Sequence, residues 1–137
     1  MSQDLCFLSR EQVLRLHRQS IERYGGSDGL RDEGLLDAAL SMPSAGFGDS
    51  YFHVSLFDKA AAYLYHVVKN HPFVDGNKRT GFACADVFLR LNGYRLKKAV
   101  SKELYQLVLQ IAAGEDLSKS EIALALEQFS EAWKPSL

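Results

Sequence analysis

The chain has 137 residues, hydrophobic side chains at 47% of its positions and a formal net charge of −1 at pH 7. That length and apolar content suit a single compact domain over residues 1–137 and leave little room for a second one. Because basic and acidic residues are interspersed, there is no broad positive field for a nucleic-acid backbone, and no direct nucleic-acid partner is expected.

The first third of the chain predicts two helices. Ser9 can cap a first helix, in which apolar residues recur at three- and four-residue steps until Gly25 and Gly26 end it. Asp32 can cap a short second helix, which Pro43 stops because a proline disfavours helical geometry at the residue before it. Both helices are therefore delimited by local signals.

A loop-rich segment and the most apolar part of the chain follow. Residues 44–55 contain two glycines and an alternating run, so they predict a flap or a short hairpin. Residues 56–70 carry a wide apolar stripe at helical period and predict a buried third helix that ends at His71-Pro72. A fourth helix, predicted over residues 78–92, is apolar around most of its circumference. These two helices should form the central pair of the core.

The remainder of the chain predicts one short strand and two more helices. The Asn92-Gly93 turn leads into residues 94–97, which are expected to form a strand that pairs with the flap region. Residues 101–113 predict a fifth helix, and a capping box that begins at Ser118 predicts a last helix that carries Trp133. The predicted fold class is therefore all-α, a compact bundle of about six helices with a small β-hairpin or flap.

The most informative segment joins the third and fourth helices, where residues 71–80 are His-Pro-Phe-Val-Asp-Gly-Asn-Lys-Arg-Thr. The first turn of a helix has unpaired N–H groups and the positive end of the helix dipole, so a loop that leads into it can hold phosphate oxygens. Gly76 permits a close approach, and Lys78 and Arg79 add positive charge. Asp75 fits among these cations if Mg²⁺ bridges its carboxylate to the phosphates.

The same segment offers a proton acceptor and an anchor. Histidine is well suited to taking a proton from a hydroxyl nucleophile near neutral pH, so His71 is the candidate general base. Phe73 is expected to turn into the core and to hold His71 and Asp75 toward solvent. The alternative is an ordinary helix–helix turn with its two cations on a solvated face. The combination of these residue types at this spacing favours the phosphate site.

Other candidate residues carry less specific signals. His17 and His66 lie on predicted helices and are expected to be hydrogen-bonded structural residues. The flap can hold the backbone of a protein substrate by strand addition, or it can be a lid that packs on the core. The flap residues in question are Phe47, Tyr51, Phe52 and His53.

The segment also carries a family resemblance. Residues 71–79 resemble the motif H-x-F-x-[D/E]-G-N-x-R of the Fic/Doc (Fido) family, and the ending Asn77-Lys78-Arg79-Thr80 is similar to the Doc, or death-on-curing, branch. Fido enzymes generally transfer AMP from ATP to a protein hydroxyl. The resemblance therefore implies ATP as substrate and Mg²⁺ as cofactor. It implies that His71 is the base and Asp75 the metal ligand. It also implies that Asn77 and Arg79 bind phosphates.

Two departures from the AMP-transferring pattern favour the Doc branch. Lys78 stands where glycine is usual, and Phe82 stands where those members have a second arginine. The resemblance to Doc toxins implies a kinase that phosphorylates a threonine of elongation factor Tu and arrests translation, with Lys78 neutralising the transferred phosphoryl group. Two alternatives stay open, namely an AMP-transferase and a non-catalytic helical binding module.

The expected inhibitor follows from the same resemblance, whereas the expected location follows from the residues themselves. Many Fic proteins carry a self-inhibitory S/T-x-x-x-E-[G/N] helix, but no Ser or Thr lies four residues before any Glu in this sequence. A separate antitoxin is therefore expected, with a disordered segment that folds into the groove on binding. No membrane partner is expected because no apolar run approaches spanning length. Cys6 and Cys84 lie far apart without a zinc spacing, so a cytoplasmic location is expected.

Overall fold

A computed structural model describes residues 5–48 and 50–135 of the chain. Over these residues the fold is all-α, with six helices and two small antiparallel strand pairs, which confirms the predicted fold class. The helices are α1 (Arg10–Tyr24), α2 (Glu33–Ser41), α3 (Leu56–Asn70), α4 (Asn77–Leu91), α5 (Ser101–Ala112) and α6 (Lys119–Gln128). The strands are β1 (Gly46–Phe47), β2 (Ser50–Tyr51), β3 (Tyr94–Leu96) and β4 (Ser130–Ala132), and a 3₁₀ turn (Lys98–Val100) precedes α5.

Side-chain caps define most of the helix starts. The Ser9 hydroxyl accepts the N–H of Gln12 at 3.1 Å, and the Gln12 side chain accepts the N–H of Ser9 at 2.7 Å, which completes a capping box. The same reciprocal arrangement starts α3 at Ser55 and α6 at Ser118, and Asp32 caps α2. The predicted starts of α1, α2 and α6 are therefore confirmed.

The core centres on α3, against which α4, α6, α2 and α5 pack, while α1 packs on α4. Gly81 allows α3 and α4 to approach closely, because a Cβ added there would lie 2.9 Å from Val68 Cγ2 and 3.2 Å from the carbonyl oxygen of Leu64. Both helices carry fully buried apolar faces at this contact. The loop that joins them consequently starts and ends at fixed positions.

The second strand pair corrects the prediction for residues 94–97. β3 does not pair with the flap; it pairs antiparallel with β4, with Tyr94 opposite Ala132 and Leu96 opposite Ser130. Among the described residues, the strands of the flap pair with each other, as β1 with β2. Because the β3–β4 contact joins segments far apart in sequence, local patterns could not indicate it.

The last helix is also shorter than predicted. α6 ends at Gln128, and the chain continues as β4 instead of staying helical to Trp133. The N–H of Trp133 donates to the carbonyl of Gly93, and the N–H of Lys97 donates to that of Phe129. These hydrogen bonds to the β3 region take the place of helical hydrogen bonds, so tertiary pairing ends α6 at Gln128.

A buried lysine ties the flap to α3. Lys59 is 1% exposed, and its Nζ donates to the carbonyls of His53 at 2.6 Å and Val54 at 2.9 Å. The same ammonium lies 4.1 Å from the centroid of the Tyr51 ring. Loss of hydration lowers the pKa of Lys59. The flap is thus held to the first turns of α3 by a desolvated cation.

A histidine and a lysine join α3 to the start of α6. His66 Nε2 lies 3.1 Å from Lys119 Nζ, and since the ammonium can only donate, the imidazole nitrogen accepts. Burial, and then the positive charges of Lys119 and His53, lower the pKa of His66 to about 4.

Among the described helices, none is both long enough and apolar enough to cross a membrane.

We predict that Gly81→Ala lowers the free energy of unfolding by about 1–3 kcal/mol, because the added methyl group overpacks the α3–α4 contact. Gly34→Ala is the matched control, since its nearest new neighbour is 3.4 Å away, and it should raise stability by up to about 1 kcal/mol through helix propensity. Urea unfolding of both variants measures the difference. Equal stabilisation by the two substitutions would contradict the close approach at Gly81.

We also predict that stability falls as the pH drops from 6.5 toward about 4, because His66 takes up a proton in the unfolded chain before it can do so in the fold. Below about 4 both states are protonated at this residue and its contribution is constant. His66→Gln offers Lys119 an acceptor that does not titrate, so its urea midpoint should depend less on pH. An identical pH dependence in both proteins would exclude His66 as the cause.

Candidate active site

Asn77, the first residue of α4, closes the loop between α3 and α4, which we call the motif loop (residues 71–76). Its side-chain Oδ1 accepts the N–H of Phe73 and its Nδ2 donates to the carbonyl of Phe73, both at 2.9 Å. Asn77 is 4% exposed and the Phe73 side chain is 1% exposed. Both polar atoms of the Asn77 side chain thus have a partner within the protein, and the loop is fixed to the start of the helix that follows it.

A second segment lies along the motif loop, namely the α1–α2 loop (residues 25–32). The N–H groups of Arg31 and Asp32 donate to the carbonyl of Pro72 at 2.7 and 3.0 Å, and the N–H of Val74 donates to the carbonyl of Gly29 at 3.0 Å. This contact between two loops was not predicted from the sequence. The one available signal was the glycine-rich stretch after α1, in which Gly25, Gly26 and Gly29 all have positive φ.

His17 of α1 packs beneath the motif loop. Its ring stacks on Phe73 with 3.8 Å between centroids and 6° between planes. Nε2 lies 2.8 Å from the carbonyl oxygen of Asp75, so this nitrogen carries the hydrogen, and Nδ1 faces Asp28 at 3.8 Å. His17 is 3% exposed, as expected for a hydrogen-bonded core histidine. Its partner is a residue of the candidate site, which the sequence did not reveal.

The Asp75 carboxylate is exposed and held by two backbone donors. Oδ2 accepts the N–H of Ser27 at 3.2 Å and Oδ1 accepts the N–H of Gly76 at 2.8 Å. These two hydrogen bonds, and then the charges of Arg79 and Lys78, lower the pKa of Asp75. The group therefore stays ionised, as a ligand for a hard cation must.

One carboxylate is a small donor set for a metal ion. The described residues contain no cluster of three or more His, Cys, Asp or Glu side chains that could hold one. Mg²⁺ nevertheless suits such a site, because it is often bound by one or two carboxylates together with substrate phosphates and water. Asp75 fits that use and would not fit a structural metal site closed by protein ligands.

The start of α4 has no side-chain cap, in contrast to α1, α2, α3 and α6. Gly76 occupies the N-cap position with φ 79° and ψ 18°, a left-handed conformation that favours glycine. A Cβ at Gly76 would lie 3.2 Å from Ile21 Cδ1, so the missing side chain also lets the loop settle against α1. The first N–H groups of α4 are left for a ligand or water.

The two cations of the motif differ in their attachment. Arg79 Nη2 donates to the carbonyl of Gly25 at 2.9 Å, and its guanidinium lies 5.5 Å from the centroid of the Tyr24 ring. Lys78 is exposed and forms no hydrogen bond or ion pair with the described residues. Arg79 is therefore pre-positioned, whereas Lys78 is free to follow a substrate.

His71 lies at the other end of the motif loop and is exposed. It is the C-cap of α3, with φ 51° and ψ 53°, and its N–H donates to the carbonyl of Val67 at 3.3 Å. The fold thus places His71, Asp75, Gly76, Lys78 and Arg79 on one short, braced stretch of chain.

The flap residues are not joined to the motif loop by any hydrogen bond, ion pair or ring contact between described residues. Lys59, which anchors the flap, precedes His71 by about 18 Å along the axis of α3 at 1.5 Å per residue. Phe52 is 66% exposed, Tyr51 packs on Lys59, and His53 is half-buried. Phe47 lies in β1 opposite Ser50.

Comparison with known proteins gives consistent matches. The profile of the Fic/DOC family matches residues 7–89. The chain is 37% identical over 126 residues to a protein named Toxin Doc from Mycolicibacterium smegmatis, which covers 92% of this chain and 95% of the relative. It is 36% identical over 122 residues to a protein named Protein kinase doc from Escherichia phage P1. This alignment covers 88% of this chain and 93% of the relative.

We predict that Asn77→Ala lowers the free energy of unfolding by about 1–3 kcal/mol or more, since it leaves the buried N–H and carbonyl of Phe73 without partners. Lys78→Ala is the matched control at the next position, and as an exposed side chain it should change stability by less than about 0.5 kcal/mol. Thermal or urea unfolding distinguishes the two. Wild-type stability of Asn77→Ala would show that the loop is braced without this residue.

Proposed function

The chain belongs to the Fic/DOC family, and on that basis we propose that it is a Doc-type toxin that transfers the γ-phosphoryl group of ATP to a protein hydroxyl. The observation that carries this proposal is the motif loop itself, on which an exposed imidazole, an ionised carboxylate and an uncapped helix start are held in fixed order. Such an arrangement suits phosphate chemistry more than a plain helix–helix turn.

In the proposed mechanism, the phosphates of ATP lie against the first N–H groups of α4. Gly76 permits their approach, and Arg79 is held near them by its hydrogen bond to the carbonyl of Gly25. Asn77 contributes its backbone N–H and fixes the loop, because its side-chain amide is hydrogen-bonded to Phe73. Asp75 would hold Mg²⁺, which when bound neutralises charge on the phosphate oxygens.

His71 is the proposed general base and takes the proton of the substrate hydroxyl as the hydroxyl oxygen attacks phosphorus. The γ-phosphoryl group moves to that oxygen and ADP leaves. Lys78 supports phosphoryl transfer over AMP transfer, because a mobile cation next to Arg79 can follow the charge on the oxygens of the moving phosphoryl group. The relative named Protein kinase doc adds support to the same choice.

We propose two partners and a location on the strength of the two Doc relatives. The protein substrate is a translation factor such as elongation factor Tu, modified at a threonine, and its modification would block translation. The inhibitor is a small antitoxin whose disordered segment occupies the groove. Both of these proposals place the protein in the cytoplasm. The exposed flap residues, among them Phe52, are suited to contact the protein substrate.

We predict that purified protein, incubated with Mg²⁺, elongation factor Tu and ATP labelled on the γ-phosphate, transfers the label to the factor. His71→Ala and Asp75→Ala should each lower the rate by about 10²–10⁴-fold, the range for loss of a proton-transfer or charge-stabilising group. Both side chains are exposed, so both variants should fold. His71→Ala should melt close to the wild type, whereas Asp75→Ala should melt at a lower temperature because it loses the hydrogen bonds from Ser27 and Gly76.

Parallel reactions with ATP labelled on the α-phosphate separate the alternatives. Label that arrives only from the α-phosphate would establish AMP transfer and reject the kinase proposal. Full growth arrest by His71→Ala in cells would indicate a non-catalytic binding module. Lys98→Ala, at an exposed lysine in the 3₁₀ turn, is the control for His71→Ala and Asp75→Ala and should leave the rate unchanged.

A further inference from the structure

His71 has an unusual backbone conformation. Among the described residues it is the only one other than glycine with a positive φ, at φ 51° and ψ 53°. Left-handed geometry is strained for a residue with a Cβ, and it persists only where the surrounding structure holds it. The position is therefore one where the fold imposes a conformation on the chain.

This conformation sets the point from which the imidazole extends. No hydrogen bond from a described residue reaches the ring of His71, which is exposed. The range of positions that the ring can reach by rotation about its side-chain bonds therefore depends on the direction of the Cα–Cβ bond, which φ and ψ set. A change of His71 toward an extended conformation would move the ring away from its present position even if the fold stayed intact.

Arg31 supplies the contacts that hold this stretch. Its Nε donates to the carbonyl of His71 at 2.7 Å, and its Nη2 donates to the carbonyl of Asn70 at 3.1 Å. Its backbone N–H donates to the carbonyl of Pro72 at 2.7 Å. One residue of the α1–α2 loop thus binds three successive carbonyls, which belong to the last residue of α3, its C-cap and the proline that follows.

The chemistry of these contacts suits a clamp. The carbonyls at a helix C-terminus lack intrahelical partners and carry the negative end of the helix dipole, so a guanidinium satisfies both needs at once. Its planar fork donates to the two carbonyls from two nitrogens whose spacing is fixed, whereas an ammonium donates from a single nitrogen. Asn70 is fixed in turn, because its Nδ2 donates to the carbonyl of Leu35 at 3.1 Å.

We propose that Arg31 is the positioning residue for the catalytic base, holding the backbone of His71 in its left-handed conformation and so aiming the imidazole at the substrate hydroxyl. This inference rests on the proposed role of His71. Arg31 itself touches no reacting atom; it acts through the carbonyls of residues 70 and 71.

The test compares Arg31→Gln and Arg31→Lys with Arg18→Gln, a change at an exposed arginine of α1 that makes no hydrogen bond or ion pair with the described residues. Arg31→Gln should lower kcat by about tenfold or more through misalignment, with KM for ATP unchanged, because the phosphates lie at the other end of the loop. Arg31→Lys keeps the charge without the fork and should recover only part of kcat. Arg18→Gln should behave as the wild type.

NMR spectra of the histidine ring protons give a readout that needs no catalysis. The His71 resonance should shift in Arg31→Gln and stay in place in Arg18→Gln, while the His17 and His66 resonances stay in place in both. An unchanged His71 resonance, or a raised KM for ATP at unchanged kcat, would overturn the proposal. If Arg31→Gln does not fold, Arg31→Lys carries the same comparison.

The two proposals can fail separately. If the wild-type protein transfers no label from ATP, the proposed function fails, and the His71 resonance in the Arg31 variants still decides whether Arg31 sets the conformation of His71. If transfer occurs and Arg31→Gln retains wild-type kcat and spectrum, the positioning role alone is rejected.

Discussion

The pair of hydrogen bonds between the Asn77 amide and the backbone of Phe73 is the constraint on which the candidate site depends. It closes the loop at the point where α4 begins, and it does so in a buried environment where an unmet donor or acceptor would be costly. Phe73 can then insert beneath the loop, and His17 can stack on its ring and donate to the carbonyl of Asp75. Pro72 and Phe73 are buried, while the polar side chains of His71 and Asp75 on either side of them are exposed.

Electrostatics at the site follow from the same closure. Asp75 accepts two backbone N–H groups and sits close to two cations, so its carboxylate remains charged without a buried ion pair. The start of α4 lacks the side-chain cap found at α1, α2, α3 and α6, which leaves a positive helix end next to that carboxylate. One carboxylate is therefore followed within a few residues by a positive helix end and two cations, an order of charges that suits the proposed metal–triphosphate complex.

Local signals account for what the sequence could predict. Ser9 and Ser118 begin helices through capping boxes, Pro72 ends α3 and Gly76 begins α4, and each of these depends on residues within one turn. Partners that are distant along the chain were not predictable. β3 meets β4 across a long sequence separation, and Arg31 and Ser27 reach the motif loop from a different loop. Asn77 is predicted to be a phosphate ligand, and the sequence could not show that its side-chain amide bonds to its own loop, which only three-dimensional packing reveals.

The enclosed ammonium of Lys59 has a practical consequence for following the flap in solution. Reagents that acylate primary amines need a neutral, accessible nitrogen, and this one is shielded while the carbonyls of residues 53 and 54 cover it. Lysines on the surface should be labelled at once, but Lys59 should be labelled only when the hairpin detaches. Mass spectrometric footprinting of a single amine would therefore time the opening of the hairpin without any added probe.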